Sequence, residues 1–180
     1  MTAVEAQAVL PSSRYRRSFL EALEGYRAAD ERVYASLYAP AGKDWDGYLR
    51  SMAREEEGRE LPDGFVPCSH RWLVTPEDEV VGVVRIRHRL SWMNELVGGH
   101  IGYDVPPRHR RQGYGGQCLA RGLDRARAVG LRDVLVTCSP DNVASRRIIL
   151  QQGGVFEREV HTEDDGAKQR FWIRLGDRAG

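Results

Sequence analysis

The sequence predicts a mixed α/β fold in a single domain, and three observations support that prediction. In the first third of the chain, apolar residues recur at helical spacing. In the middle, an alternating pattern typical of strands replaces that spacing. In the last third, strand and helix patterns alternate around a glycine-rich turn, as in a strand, helix, strand crossover. A chain of 180 residues is long enough to bury one sizeable core.

The first 60 residues are predicted to be largely helical. Residues 1–12 lack a periodic pattern, so we expect a flexible tail there and a domain over residues 13–180. A first helix is predicted after Ser12 or Ser13 by four apolar residues at helical spacing, Phe19, Leu20, Leu23 and Tyr26. The same spacing predicts a second helix that ends at Gly58 and carries Trp45, Tyr48, Leu49 and Met52.

The sheet is expected within residues 66–180. Its first two strands are predicted at residues 67–75 and 79–90, joined by a polar hairpin turn. A further strand at residues 98–105 ends before two prolines, which cannot continue a central ladder.

The last third of the chain completes the predicted fold. An amphipathic helix follows the glycine-rich turn and ends at Gly130, and a strand at residues 133–138 comes next. Another helix is predicted from an N-cap at Ser139 to the glycines at 153 and 154. Two strands around the acidic turn at residues 163–166 form a closing hairpin.

Composition excludes several classes of protein. Lys and Arg number 27 and Asp and Glu 26, so the net charge of +1 does not favour binding to nucleic acid or to anionic membranes. No stretch is apolar enough to span a membrane and the start does not resemble a secretion signal, so we expect a cytoplasmic protein. The three cysteines are widely spaced, which predicts free thiols and neither disulfides nor a metal site.

One short segment, RHRRQGYGGQC at residues 108–118, combines basic side chains with three glycines. It lies between a predicted strand and the start of a helix, where backbone N–H groups lack intrahelical partners and bind phosphate. Gly113, Gly115 and Gly116 allow a ligand to approach the backbone closely. The spacing fits neither the mononucleotide nor the dinucleotide loop. The alternative is a glycine-rich helix start that serves only close packing.

The same segment carries a resemblance to a known family. RRQGYG at residues 110–115 resembles the (Arg/Gln)-x-x-Gly-x-(Gly/Ala) motif with which the GNAT superfamily of N-acetyltransferases holds the coenzyme A pyrophosphate. IGYDVPP resembles that family's fourth strand, and VTCSPDNVASRRIILQQGG resembles its fifth strand and following helix. The resemblance implies a GNAT fold, with a central twisted mixed sheet of six to seven strands flanked by helices and a splayed parallel strand pair that holds acyl-CoA.

The resemblance also implies the residues that bind acetyl-CoA. The fourth-strand segment, Tyr103, Asp104 and Val105, is expected to face the thioester and the pantetheine arm, with the Val105 N–H near the acetyl carbonyl. The pyrophosphate is expected at the glycine-rich turn, comprising Arg110, Arg111, Gln112, Gly113, Tyr114, Gly115 and Gly116. Asn142 and Ser145 are expected to contact the pantetheine chain, although both also suit the start of a helix.

Acetyl transfer also calls for a general base and a general acid, because the attacking amine must lose a proton and the departing thiolate must gain one. His100 is the first candidate base, with a structural hydrogen bond as its alternative. His88, on the apolar face of its strand, favours a structural role, and Glu95 lies in a predicted loop. At the family's usual tyrosine position the chain has Ile149, so Tyr103, Tyr114 or solvent is the candidate acid, since a thiolate is a tolerable leaving group.

Two further groups are candidates for the acceptor pocket. Arg85, Arg87 and Arg89 share one strand face, where they either bind a carboxylate of the acceptor or remain solvated. The four tryptophans either line a pocket or pack in the core.

The sequence therefore predicts an N-acetyltransferase that moves an acetyl group from acetyl-CoA to a primary amine of a small molecule or a peptide. The alternative is a coenzyme A-binding module without catalysis. The resemblance is also compatible with a homodimer.

Overall fold

The structure is a computed structural model that describes residues 4–176. Five α-helices lie in this part of the chain: α1 (Arg16–Ala28), α2 (Arg32–Lys43), α3 (Trp45–Glu57), α4 (Tyr114–Ala128) and α5 (Val143–Gln151). Seven strands accompany them: β1 (Gln7–Val9), β2 (Cys68–Val74), β3 (Val80–Arg87), β4 (Ile101–Asp104), β5 (Asp133–Cys138), β6 (Val155–Thr162) and β7 (Gly166–Arg174). The mixed α/β class is confirmed.

The strands form two antiparallel sheets, in the orders β1-β2-β3-β4 and β5-β7-β6. The expected strand number is therefore correct, but the continuous sheet is divided between β4 and β5. A backbone hydrogen bond from the His100 N–H to the Leu135 carbonyl, at 2.8 Å, joins the two sheets just before β4. Beyond that point β4 and β5 share no ladder, which leaves a gap at the end of β4.

The N-terminal segment differs from the prediction. Gln7–Val9 pairs with β2, opposite Val74, Leu73 and Trp72, and Ala6 is fully buried. The prediction of a flexible tail is therefore wrong for these residues. Their backbone hydrogen bonds with β2 and the buried side chain of Ala6 hold the segment on the edge of the sheet. Residues 1–3 of the predicted tail lie outside the described residues.

Helix α2 is a second difference, since the sequence pattern predicts no helix between residues 31 and 44. It contains Pro40, which removes one backbone donor and weakens the helical pattern. The predicted stops of three other helices are confirmed, because Gly58, Gly130 and Gly153 all adopt the left-handed conformation just after α3, α4 and α5.

Two hydrophobic cores lie on opposite faces of the first sheet. On one face Trp72, Val74, Val80 and Val83 pack against α1, α2 and α3 in a cluster rich in aromatic side chains. On the other face Leu73, Val81, Val84 and Ile86 pack against α4 and the second sheet. Trp45 and Trp72 belong to the first core, whereas Trp92 is 71% exposed. Among the described helices, none has the length and apolar content required to cross a membrane.

Candidate functional site

A cavity of about 600 Å³ opens at the end of β4, between the glycine-rich turn and α5. We call it the first cavity. Eleven of the residues predicted to bind acetyl-CoA line this cavity. They come from the end of β4, the glycine-rich turn and the start of α5: Tyr103, Asp104, Val105, Arg110, Arg111, Gly113, Tyr114, Gly115, Gly116, Asn142 and Ser145. The structure thus brings together residues 40 positions apart. Gln112, the remaining predicted residue of the turn, is exposed, and its side-chain amide donates to the Arg108 carbonyl.

The glycine-rich turn aims the start of α4 at this cavity. Arg111 and Gly113 both have positive φ, of 60° and 87°, and together they reverse the chain before the helix. Gly113 is the N-cap and supplies no side-chain acceptor, so the first N–H groups of α4 remain without a capping side chain. Such a helix start carries a partial positive charge and suits a phosphate group.

Gly115 and Gly116 have different surroundings within this first turn. A Cβ on Gly115 would lie 2.8 Å from Ile148 Cδ1, so a side chain there displaces the wall of the cavity. A Cβ on Gly116 would meet no atom within 4 Å of it. Tyr114 is buried and packs edge-on against His109, at 6.2 Å between ring centroids. The tyrosine therefore holds the turn in place.

The end of β4 presents backbone groups to the first cavity. The Val105 carbonyl accepts a hydrogen bond from Arg110 Nε at 3.0 Å. Within residues 4–176 the Val105 N–H donates to no backbone carbonyl. The Arg110 guanidinium also forms a two-pronged ion pair with Glu31, at 2.6 and 2.8 Å. The side chain of Arg110 therefore braces β4 against the start of α2, and only its remaining surface faces the cavity.

Asp104 has a different role from the predicted one, because its carboxylate is committed to the protein. Tyr26 and Tyr38 each donate a hydrogen bond to it at 2.6 Å, and Arg85 Nη2 donates at 2.7 Å. Its side chain is 1% exposed. This cluster of four residues, which we call the Asp104 cluster, ties α1, α2 and β3 to β4. Its carboxylate is consequently not free to contact a ligand.

Helix α5 forms the opposite wall. Its N-cap is Asn142 and not Ser139, because Asn142 Oδ1 accepts the Ser145 N–H at 3.0 Å. Ser145 Oγ and the Tyr103 hydroxyl form a hydrogen bond of 2.9 Å that connects α5 to β4. Burial raises the pKa of Tyr103 to about 12 and the bond with Ser145 opposes it, so this hydroxyl is protonated at neutral pH. Ile149 is fully buried behind the wall.

His100 lies outside the first cavity in a structural setting. Its Nδ1 accepts a hydrogen bond from the Leu135 N–H at 2.9 Å, and its ring packs edge-on against Trp172. Burial, together with the nearby charge of Arg87, lowers the pKa of His100 to about 4. The imidazole is therefore neutral at physiological pH, and its Nδ1 lone pair is already used by β5.

The other two candidate bases also lie away from the first cavity. His88 is just past the end of β3, where Nε2 lies 2.8 Å from Ser69 Oγ, and burial lowers its pKa. Glu95 is exposed, and its backbone carbonyl accepts from Arg170. Neither lines a described cavity at the end of β4. These positions favour the structural interpretation for His88 and a solvated side chain for Glu95.

A second cavity of about 520 Å³ lies on the α2 and α3 side of the first sheet. Arg85 and Arg87 reach it from β3, whereas Arg89 is exposed, so the arginine row is neither wholly solvated nor wholly buried. Cys68 and His70 reach it from β2, next to Glu55 of α3. Sequence reasoning misses this group. The i, i+2 spacing of Cys68 and His70 is its one local signal, because Glu55 joins them only through packing.

The Glu55, Cys68 and His70 group is compact and strongly polar. Its three ligand atoms lie within 4.8 Å of one another, a spacing that suits a metal ion, although the sequence predicts no metal site. His70 Nε2 lies 2.7 Å from Glu55 Oε2. Burial opposes a charged His70, but hydrogen bonding with Cys68 and Glu55 outweighs burial and raises the pKa to about 9. At neutral pH His70 is therefore protonated where it contacts Glu55.

Comparison with known proteins supports the arrangement of these segments. Residues 18–155 match the family model described as an acetyltransferase (GNAT) domain. No protein of curated function matches the sequence. Solved structures match over nearly the whole chain, at low sequence identity.

Three of these structures illustrate the likeness. RimL, a ribosomal L7/L12 alpha-N-protein acetyltransferase in complex with coenzyme A, is 12% identical with a TM-score of 0.71, covering 97% of this chain and 96% of its own. The microcin C7 self immunity acetyltransferase MccE, in complex with acetyl-CoA and AMP, is 14% identical with a TM-score of 0.68, covering 94% and 92%. A chimera of spermidine N-acetyltransferase SpeG from Vibrio cholerae and hSSAT is 11% identical with a TM-score of 0.64, covering 95% and 96%. At these identities the likeness establishes the shared fold.

Proposed function

This chain belongs to the GNAT family of acetyltransferases, and from that premise we propose that it transfers an acetyl group from acetyl-CoA to a primary amine of a small molecule or peptide. The observation that carries the proposal is the first cavity. There the uncapped start of α4, the N–H of Val105 and the wall of α5 converge on one space of about 600 Å³. That combination suits a long ligand with a phosphate group at one end and a carbonyl group at the other.

Each wall of the first cavity has a binding role in this proposal. The N–H groups at the start of α4 hold the pyrophosphate, where each charge-assisted hydrogen bond contributes about 1.5–3 kcal/mol. Asn142 and Ser145 line the path of the pantetheine chain on α5. The first turn of α4 fits such a ligand because Gly115 and Gly116, which line the first cavity, place no side chain in the space.

The end of β4 has the chemical role. Acetyl-CoA, when bound, supplies a thioester whose carbonyl carbon is attacked directly by the amine. The Val105 N–H then stabilises the negative charge that develops on the carbonyl oxygen. The Tyr103 hydroxyl, protonated at neutral pH, donates a proton to the departing sulfur, in place of the tyrosine that Ile149 replaces. Water takes the proton of the amine, because the histidine candidates lie elsewhere.

A coenzyme A-binding module without catalysis is the second candidate, and one observation favours it. Ile149 is fully buried at the usual position of the general acid. The module binds acetyl-CoA as the enzyme does, so binding alone does not separate the two functions. Turnover that depends on an added amine separates them.

The proposal is tested by thermal unfolding with acetyl-CoA, followed by release of coenzyme A with a panel of primary amines. At about 100 times the Kd, acetyl-CoA is expected to stabilise the protein by about 2.7 kcal/mol, or about 5–10 °C. Gly115→Asp is expected to abolish this shift, because its side chain collides with Ile148 and places a negative charge beside the pyrophosphate. Ala128→Asp, at the exposed far end of α4, is the matched control.

The outcomes are distinct. A shift with amine-dependent release of coenzyme A supports the enzyme, and a shift without it across the panel supports the binding module. If acetyl-CoA does not raise the Tm of the unmodified chain, both functions are ruled out.

A further inference from the structure

The second cavity has a basic side and a side that carries metal-ligating types of residue. Arg85 and Arg87 line it from β3, which lies between β2 and β4 in the first sheet. The Arg85 guanidinium donates to Asp104 of β4 at 2.7 Å. That of Arg87 donates to the carbonyls of Gly98 and Gly99, which lie just before β4. Both positive charges are therefore directed toward β4 and away from β2.

The β2 side of the cavity carries a thiol, an imidazole and a carboxylate. Cys68 and His70 are two residues apart on β2, so their side chains leave the same face of the strand. Helix α3 packs on that face, and Glu55 reaches the pair from it. The three ligand atoms lie within 4.8 Å of one another. Two elements far apart in sequence thus bring three different donors to one point.

This set of donors favours zinc. Thiolate and imidazole bind Zn²⁺ strongly and a carboxylate completes many of its sites, whereas Mg²⁺ and Ca²⁺ prefer oxygen ligands alone. With the usual bond lengths, the ligand atoms of a tetrahedral zinc ion lie about 3.4–3.6 Å apart. His70 Nε2 and Glu55 Oε2 are 2.7 Å apart, so an ion between them widens this pair by about 0.7 Å. The Glu55 side chain is 33% exposed, which leaves it room for that movement.

The charges around the three donors suit a divalent cation. A Cys68 thiolate and the Glu55 carboxylate together balance the two positive charges of the ion. Asp165 lines the same cavity and adds a further carboxylate. Binding releases to water the thiol proton of Cys68 and the proton that lies between His70 and Glu55. The exchange of protons for a metal ion involves no oxidation or reduction.

The second cavity also gives an ion a path to the three donors. Glu55, Cys68 and His70 all line this space of about 520 Å³. A tetrahedral zinc ion with three protein ligands keeps its fourth position for water or another small donor. Because α3 and β2 supply the protein ligands, that fourth position faces the cavity.

From this arrangement we propose that Glu55, Cys68 and His70 bind a zinc ion whose fourth coordination position opens into the second cavity. The ion connects α3 to β2 and places a Lewis acid in the wall of the cavity. The inference is independent of acetyl transfer, because it concerns a different cavity and is tested by metal binding alone.

The experiment measures binding of Zn²⁺ to the full chain, prepared without a histidine tag and kept reduced with a phosphine. We expect calorimetry to give one ion per chain. Zn²⁺ at about 100 times its Kd is expected to raise the Tm by about 5–10 °C. Mg²⁺ is expected to leave the Tm unchanged, because the site offers it a single oxygen-bearing side chain.

Co²⁺ is the spectroscopic probe of the same site. A thiolate-to-cobalt charge-transfer band is expected, together with the strong visible bands of a four-coordinate ion. The first band reports the sulfur ligand and the others report the geometry, so the spectrum identifies the site and not merely the presence of bound metal.

Two variants remove ligands one at a time. Cys68→Ser keeps the size of the side chain, and we expect it to weaken Zn²⁺ binding by about 100-fold or more and to abolish the charge-transfer band. Loss of a group that only orients a ligand costs about 10- to 100-fold, and loss of a ligand costs at least as much. Glu55→Gln replaces a carboxylate by a neutral amide and is expected to weaken binding by about tenfold or more.

Cys138→Ser is the matched control, because it changes another buried thiol that does not line the second cavity. It is expected to leave both the affinity and the charge-transfer band unchanged. The Tm of each variant without metal is its own reference. A loss of stability from a broken pair between His70 and Glu55 is therefore kept apart from a loss of metal binding.

Binding of Zn²⁺ that both ligand variants weaken and the control does not supports the inference. The inference is overturned if Zn²⁺ fails to stabilise the unmodified chain, if the cobalt spectrum lacks the sulfur band, or if Cys68→Ser binds the ion as tightly as the wild type. The three groups are then only a buried ion pair beside a thiol. None of these measurements uses acetyl-CoA, so their failure leaves the proposed function intact, and a failure of acetyl-CoA to bind leaves the metal site intact.

Discussion

The Tyr103 hydroxyl lies 2.9 Å from Ser145 Oγ and closes the first cavity between β4 and α5. At the position where the family resemblance implies a tyrosine, the chain has Ile149, which is fully buried behind the wall. The serine fixes the direction of the hydroxyl, and burial keeps it protonated. In the proposed function, this hydroxyl protonates the thiolate that leaves at the end of β4.

We expect Tyr103→Phe to lower kcat by about 10- to 100-fold while the thermal shift with acetyl-CoA is retained, since the variant removes a proton donor and keeps the ring. Because the pKa of Tyr103 is about 12, the loss is expected to be constant between pH 6 and 9. Steady-state kinetics over that range measure both effects. Tyr15→Phe, in the aromatic core, is the control. An unchanged kcat would assign the proton to water.

For His100→Ala we expect a loss of stability of about 1–3 kcal/mol with little change in kcat. The variant leaves the buried Leu135 N–H without its acceptor, and a neutral histidine outside the first cavity does not act as the base. Urea unfolding and turnover well below the Tm separate the two quantities. His161→Ala, at an exposed histidine, is the matched control. A drop in kcat above 100-fold in folded protein that still binds acetyl-CoA would restore His100 as the base.

Asp104→Asn is expected to destabilise the protein by about 3–5 kcal/mol, because it leaves Arg85 as a buried cation without a counter-ion. The double variant Asp104→Asn with Arg85→Met removes both charges and is expected to recover part of the loss. Asp78→Asn removes an exposed ion pair with Arg14 and is expected to cost less than 1 kcal/mol. Denaturant unfolding of the three variants and the wild type tests this. Equal costs for Asp104→Asn and Asp78→Asn would contradict the buried role of the cluster.

Glu56 is expected to make stability depend on pH. Burial favours its protonated form, but hydrogen bonds from Arg71 and Ser69 and the charge of Arg125 outweigh burial and lower its pKa to about 2. A lowered folded-state pKa contributes stability that is complete above the unfolded value near 4.5 and is lost as pH falls toward 2. We therefore expect Glu56→Gln to cost about 1–3 kcal/mol at pH 7.

The measurement is urea unfolding of wild type and Glu56→Gln between pH 7 and 3. The difference in unfolding free energy is expected to be constant down to about pH 5 and to narrow below it. Glu57→Gln, on the same helix with a more exposed side chain, is the control. If the difference in unfolding free energy stays constant down to pH 3, the charge of the Glu56 carboxylate does not contribute to stability.

Local patterns were sufficient for most of the fold. Helix α4, β5 and the β6 and β7 hairpin follow from spacing and from glycines that end helices, because these features depend on neighbouring residues. Helix α2 and β1 were missed for a physical reason. Pro40 interrupts the helical pattern, and a three-residue edge strand has too little sequence to show alternation.

The first cavity was predicted in outline for the same reason, since a glycine-rich turn at a helix start is a local feature. The N-cap was placed three residues early because Ser139, Pro140 and Asn142 all suit a helix start, and only the chain path selects Asn142. The hydrogen bonds of the Asp104 carboxylate were not predicted, because its partners come from α1, α2 and β3.

The sequence by itself determined the class of fold, the glycine-rich turn before a helix, and eleven of the residues that line the first cavity. Only the tertiary structure decided which polar side chains form hydrogen bonds and ion pairs with each other. Tyr26 and Asp104 meet across 78 residues, and Glu55 and His70 across 15, where no short-range pattern connects them. Their pairing depends on burial and on neighbours that come from other elements of the fold.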